Sequence, residues 1–221
     1  MRSLGISRCL TATLISSLTL LSWPLWADLD FSEAFLARIE AKHDRFARQR
    51  FEQWQALIEE SKNLPEKEKL EIVNNFFNSN VQFINDIMLW GQEDYWATPA
   101  EMLAIGAGDC EDYSIAKYFT LKDLGVDEDK LRITYVKAVE LDQAHMVLTY
   151  YETNRAMPLV LDNLITEIKP ANRRNDLVPV YSFNGAGLWL AKSRGEGQRV
   201  GDSSRLSLWQ DLEKRMRDGA L

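Results

Sequence analysis

The sequence is most informative at residues 106–114, which read GAGDCEDYS. Glycines flank a turn there, and an apolar-periodic run follows over residues 115–124 and ends at Gly125. This spacing predicts a helix whose first turn holds Cys110. Asp109 suits the N-cap position, because its carboxylate can accept a backbone N–H of the first turn.

Two interpretations of Cys110 follow from its place at a helix start. The positive end of the helix dipole favours the thiolate, which is the nucleophilic form. Free cysteines are also often buried as small hydrophobic side chains. The chain has two cysteines, and Cys9 lies in the leader predicted below. A single remaining thiol in an exported protein favours a functional role.

The N-terminal residues are typical of a secretory signal. Arg2 and Arg8 form a positive region, and residues 10–21 are apolar but too short to span a bilayer comfortably. We predict a signal peptide over residues 1–27 and one domain over 28–221, with an uncleaved anchor as the alternative. Without the two leader arginines the net charge of −7 becomes about −9. This balance argues against nucleic acid or an anionic membrane as the main partner.

The remaining patterns predict an α+β fold, with a helical lobe over about 28–125 packed on an antiparallel sheet over about 126–221. The chain is 46% hydrophobic and 27% charged, which suits a globular domain with a buried core. The helical lobe contains a charged helical stretch over 31–62, a helix opened by Pro65, an aromatic irregular stretch over 80–97 and a capping box at 98–101. The second half contains strand-like segments at 131–140, 145–151, 158–162, 178–183 and 188–191, further pairing at 164–168, a mobile loop over 193–204 and an amphipathic helix over 206–216.

His145 and Asp162 are candidate partners of the thiol. Cysteine catalysis needs a base for the thiol proton and a third group that orients this base. His145 begins one predicted strand and Asp162 ends the next, so antiparallel pairing can bring them together. Taken alone, His145 could be a satisfied core histidine and Asp162 a turn residue. Their combination with Cys110 at a helix start favours catalysis.

These motifs together resemble the LapG-type bacterial transglutaminase-like cysteine proteinases. The resemblance covers roughly residues 65–190 and rests on four segments: WATPAE at 96–101, GAGDCEDY at 106–113, AHMVL at 144–148 and LDNL at 161–164. It implies a papain-like, transglutaminase-like fold and a Cys110–His145–Asp162 triad. It also implies a periplasmic, calcium-dependent endopeptidase that clips a large surface adhesin near its N-terminus, so that a biofilm disperses. A membrane receptor of the LapD type, controlled by cyclic-di-GMP, would hold the protease back.

The acidic cluster around the cysteine has its own physical interpretation. Asp109, Glu111 and Asp112 place three carboxylates beside the thiol. Helix capping and dipole pairing can explain part of this cluster. The negative charges should also raise the thiol pKa, which opposes catalysis. Bound Ca²⁺ takes oxygen ligands and would offset that charge, so the residues alone leave both helix capping and a calcium site open. The resemblance implies a calcium site, and with it we predict these three residues as metal ligands.

Two other functions stay open at this point. A transglutaminase uses the same triad and acyl-enzyme but an amine as acceptor, and the sequence does not separate it from a protease. A calcium-dependent binding module without catalysis would keep the fold and would not need Cys110.

Overall fold

The computed structural model of the protein describes residues 31–191 and 197–219. The predicted signal peptide lies outside the described residues. Within the described ranges, no helix is both long and apolar enough to cross a membrane.

The described residues form seven α-helices and nine β-strands. The helices are α1 Glu33–Lys42, α2 Arg45–Ser61, α3 Glu66–Asn80, α4 Asp86–Leu89, α5 Pro99–Ile105, α6 Cys110–Asp123 and α7 Ser207–Asp218. The strands are β1 Gln82–Phe83, β2 Ala107–Gly108, β3 Leu131–Ala138, β4 Gln143–Tyr150, β5 Leu159–Leu161, β6 Lys169–Pro170, β7 Leu177–Asn184, β8 Gly187–Leu190 and β9 Gln198–Gly201.

Seven of these strands form one antiparallel sheet in the order β6-β5-β4-β3-β7-β8-β9. Helix α6 packs against β4 and β3 on one side and against α3 and α5 on the other. Every residue of α6 from Glu111 to Leu121 is buried, as expected for a helix enclosed on all sides. The predicted α+β architecture, with helices packed on an antiparallel sheet, is confirmed.

The terminal helix also packs on α6. Trp209 of α7 is buried and stacks on Phe119 of α6, with ring centroids 5.7 Å apart. The predicted amphipathic helix over 206–216 is therefore confirmed, and it covers the helix that carries Cys110.

The helical stretch predicted over 31–62 is confirmed as two helices, and Asp44 caps α2 by accepting the Ala47 N–H at 2.6 Å. Three other local expectations need correction. The stretch 80–97 is not wholly irregular, since it contains β1 and α4. Residues 164–168 form no strand, and the segment that pairs with β5 after them is β6. Within the predicted loop 193–204, strand β9 pairs with β8, while residues 192–196 lie outside the described residues.

Candidate active site

The turn before Cys110 depends on two glycines. Gly106 ends α5 with a φ of 76°, a left-handed conformation that side chains rarely adopt. Gly108 lies in β2, which pairs in parallel with β1. A Cβ at Gly108 would lie 2.7 Å from Oδ2 of Asp112, so a side chain there would displace that carboxylate. The glycines therefore allow the close turn that leads directly into α6.

Cys110 begins α6, with Asp109 at the predicted N-cap position. The thiol donates a hydrogen bond to Oε2 of Glu111 at 3.1 Å rather than to the His145 ring. Burial raises the pKa of the Cys110 thiol well above 9.0, and the carboxylates of Glu111 and Asp109 raise it further. A hydrogen bond from the backbone N–H of Met146 acts in the opposite direction. Burial and these two carboxylates therefore outweigh the Met146 hydrogen bond at this thiol.

His145 and Asp162 are brought together by the pairing of β4 with β5. His145 Nε2 lies 2.8 Å from Asp162 Oδ1, and both side chains are buried. Burial opposes ionisation of Asp162, but hydrogen bonds from His145, Leu164 and Arg174 lower its pKa to about 2. Asp162 is therefore a carboxylate at neutral pH. The other ring nitrogen of His145, Nδ1, takes no part in this hydrogen bond.

The backbone connects the thiol to this pair. Met146, whose N–H approaches the Cys110 sulfur, is the residue that follows His145 in β4. The structure thus places the three residues predicted for catalysis around one end of α6. Nothing in the sequence pattern indicated the buried Arg174, whose Nη2 lies 2.6 Å from Asp162 Oδ2.

A cluster of carboxylates surrounds the start of α6. The predicted residues Asp109, Glu111 and Asp112 are all part of it, and the structure adds Asp86 and Asp94. Two groups of three carboxylates each bring one oxygen per side chain within 4.8 Å of one another. One group is Asp86, Asp109 and Asp112, and the other is Asp86, Asp94 and Glu111.

Hydrogen bonds satisfy only part of this cluster. The backbone N–H groups of Ala97 and Asp109 donate to Asp112, at 2.7 and 3.2 Å. Oδ2 of Asp109 accepts the N–H of Asp86 at 3.3 Å. Oδ1 of Asp86 and Oδ1 of Asp109 are buried without a hydrogen-bond partner among the described residues. Such oxygens suit a hard divalent cation such as Ca²⁺.

The ionisation of the cluster agrees with this fit. Burial raises the pKa of Asp86 to about 6, and the charges of Asp109 and Asp94 add to the effect. Burial and neighbouring carboxylates likewise raise the pKa values of Glu111 and Asp112. The side chains therefore repel one another as carboxylates, and a bound cation would relieve that repulsion.

Comparisons with known proteins agree with this geometry. Residues 39–190 match the profile of a family described as bacterial transglutaminase-like cysteine proteinase BTLCP. The solved structure of Legionella pneumophila LapG is 45% identical, with a TM-score of 0.71, covering 82% of this chain and 97% of that chain. The EGTA-treated and calcium-bound forms of that protein match with TM-scores of 0.72 and 0.71, at 46% and 45% identity and the same coverage. A search of curated proteins gave no match. These structures confirm the transglutaminase-like fold.

Proposed function

Since the chain belongs to the bacterial transglutaminase-like cysteine proteinases and is therefore a cysteine peptidase, we propose that it is a calcium-dependent periplasmic endopeptidase that cleaves the N-terminal region of a large cell-surface adhesin. The observation that carries the proposal is the Cys110 thiol at the start of α6, beside the strand that holds His145 2.8 Å from Asp162. This arrangement supplies a nucleophile, a base and an orienting carboxylate.

Each residue has a defined role in the proposed reaction. His145 takes the thiol proton at its free ring nitrogen, and the sulfur of Cys110 attacks the scissile carbonyl. The backbone N–H of Cys110 stabilises the oxyanion, because helix-start amides point toward it. The imidazolium then protonates the departing amine, which leaves a thioester. Water, deprotonated by His145, hydrolyses the thioester, and the thiol is restored. Asp162 orients the imidazole and stabilises its charged form.

The acidic cluster would hold the calcium ion. Asp109, Glu111 and Asp112 are the proposed ligands, and Asp86 joins them because its buried Oδ1 has no partner among the described residues. The existence of calcium-bound and EGTA-treated forms of Legionella LapG supports this assignment. Bound Ca²⁺ supplies positive charge that offsets the carboxylates and favours the thiolate.

The cellular setting is also a proposal. The leader-like residues 1–27 support export to the periplasm. By the family resemblance, release of the adhesin promotes biofilm dispersal, and an inner-membrane cyclic-di-GMP receptor of the LapD type inhibits the enzyme.

The test is incubation of the protein with the N-terminal region of a candidate adhesin from the same genome, followed by mass spectrometry of the fragments. We expect one defined cleavage with Ca²⁺, and none with EGTA or with Cys110→Ala. A labelled amine in a parallel reaction tests for acyl transfer. Amine incorporation without hydrolysis would replace the protease by a transglutaminase, and unchanged cleavage by Cys110→Ala would overturn the catalytic assignment.

A further inference from the structure

We propose that Arg174 is a positioning residue of the catalytic unit, whose guanidinium holds Asp162 in the orientation that aligns the His145 imidazole. The inference rests on the proposed function, since it assigns a role within the same site. Arg174 lies between β6 and β7, in a part of the chain where the sequence pattern pointed to no chemistry.

The hydrogen bonds of Asp162 define this role. Its Oδ1 meets His145 Nε2 at 2.8 Å and accepts the Leu164 N–H at 3.0 Å. Its Oδ2 accepts from Arg174 Nη2 at 2.6 Å. Because the two oxygens have different partners, rotation of the carboxylate would break bonds on both sides. Arg174 therefore fixes which oxygen faces the imidazole.

Asp176 holds Arg174 in turn. The Arg174 Nε lies 3.0 Å and 3.2 Å from the two Asp176 oxygens, and Nη2 lies 2.7 Å from Oδ2. Arg174 is 2% exposed, so its charge needs these carboxylates. The planar guanidinium can contact Asp162 and Asp176 together, which a lysine ammonium does not reproduce. The result is a line of alternating charge from the imidazole toward the partly exposed Asp176.

Besides the His145 imidazole, two basic side chains face Asp162. They are Arg174 and the buried Lys117 from α6. Burial lowers the pKa of Lys117 to about 7, against the attraction of Asp162. Burial also opposes the charge of Arg174, but its hydrogen bonds to Asp176 and Asp162 raise its pKa. Arg174 is therefore the partner whose charge is constant through the neutral pH range.

A cavity beside Arg174 allows its role to be tested by chemical rescue. Arg174 lines this cavity of about 660 Å³ beside the buried valines Val136, Val147 and Val160. Its Nη1 has no hydrogen-bond partner among the described residues. Truncation of Arg174 would extend this cavity toward Asp162, so a small guanidinium ion has a route to the vacated position.

The experiment measures Cys110 alkylation by iodoacetamide against pH, with Ca²⁺ present, because this readout needs no adhesin. His145→Ala reports loss of the base, and Arg173→Ala, an exposed neighbour, is the matched control. We expect Arg174→Ala to slow alkylation at neutral pH by about 10-fold or more, by analogy with residues that orient a histidine ligand at metal sites. The acidic limb of the profile should move to higher pH, because loss of the Arg174 positive charge disfavours the Cys110 thiolate. Methylguanidinium should restore the rate in Arg174→Ala and not in His145→Ala.

Asp176→Asn is the second variant, because it keeps Arg174 in place and tests the same line if Arg174→Ala does not fold. It should give a smaller shift in the same direction. If His145→Ala slows alkylation while Arg174→Ala and Asp176→Asn match Arg173→Ala, the positioning role is wrong and the proposed catalytic pair stands. If His145→Ala has no effect, the catalytic pair itself fails, and the role of Arg174 with it. Arg174→Ala could also react more slowly with no shift of its pH profile and no rescue by methylguanidinium. That result would show that Arg174 has a purely structural role.

Discussion

Replacement of Asp86 by asparagine should stabilise the protein without metal and weaken its response to calcium. Asp86 is 2% exposed, and its Oδ1 has no hydrogen-bond partner among the described residues. Burial raises its pKa from 3.8 to about 6, with Asp109 and Asp94 as further causes. Asparagine has no charge and keeps an oxygen that can accept the Tyr95 N–H. The substitution therefore removes the unfavourable charge while retaining the hydrogen bond.

The magnitude follows from the pKa of Asp86. One pKa unit corresponds to about 1.4 kcal/mol, so ionised Asp86 costs about 3 kcal/mol before solvent screening. Because Asp94 beside it is exposed, we take about 1 to 2 kcal/mol. Since the pKa is raised in the folded state, the stability from the neutral acid is fully present below pH 3.8 and is lost as the pH rises through about 6. Asp86→Asn should thus raise the metal-free Tm by about 3 to 6 °C at neutral pH.

Thermal unfolding of wild type, Asp86→Asn and the exposed control Asp129→Asn tests this prediction in EGTA and in CaCl₂. In EGTA near neutral pH, we expect Asp86→Asn to have a higher Tm than wild type. This difference in Tm should disappear below about pH 4, where Asp86 is protonated in wild type. Calcium should raise the Tm of wild type and of Asp129→Asn more than that of Asp86→Asn. A lower Tm for Asp86→Asn in EGTA would refute the charge argument. An equal calcium response would exclude Asp86 as a ligand.

Three further predictions concern activity. Cys110→Ala should abolish cleavage while leaving the Tm nearly unchanged, and turnover comparable to wild type would contradict a nucleophilic role. His145→Ala should reduce cleavage almost as much as Cys110→Ala, and the variant with both changes should be little worse than either. Asp162→Asn should retain more activity. Kinetic assays of each variant measure these differences. A loss of less than about tenfold for His145→Ala would mean that the base is misassigned. EGTA should stop cleavage, and Ca²⁺ but not Mg²⁺ should restore it. Glu111→Ala should have the same effect as chelation. Equal cleavage in EGTA and in Ca²⁺ would argue against a functional metal site.

The elements with strong local signals were predictable from sequence. The capping box at 98–101 forms as expected, with Thr98 Oγ1 accepting the Glu101 N–H at 3.1 Å and Glu101 accepting the Thr98 N–H at 2.8 Å. The Cys110 helix begins at its predicted residue. These features depend on contacts three or four residues apart, which a sequence pattern contains directly.

The missed elements depend on distant parts of the chain. β1 and β2 are two residues each and exist because segments more than 20 residues apart pair in parallel. β9 pairs with β8 but reads QRVG, without the alternation typical of a strand. Propensity is weak for such short segments, so tertiary contacts decide their structure.

The same distinction applies to the site. Asp109, Glu111 and Asp112 adjoin Cys110 in the chain, and the predicted strands place His145 at the start of one and Asp162 at the end of the next, so both groups could be selected from the sequence. In the structure His145 is the third residue of β4, and Asp162 directly follows β5. Asp86 begins the short helix α4 and Arg174 lies between β6 and β7, and the position of both segments depends on the folded core. No periodic pattern indicated either residue.

The competing effects on the Cys110 thiol also could be ranked only with the structure. A helix dipole stabilises a charge by about 0.3 to 1 kcal/mol at an exposed site and up to about 2 kcal/mol when partly buried. Burial and the carboxylates of Glu111 and Asp109 raise the thiol pKa well above 9.0 in spite of the Met146 N–H. Without a cation, Cys110 is therefore a thiol at neutral pH. A cation at the cluster would offset the nearest negative charges and so lower the thiol pKa. Under the proposed function, cation binding would therefore favour the reactive thiolate of Cys110.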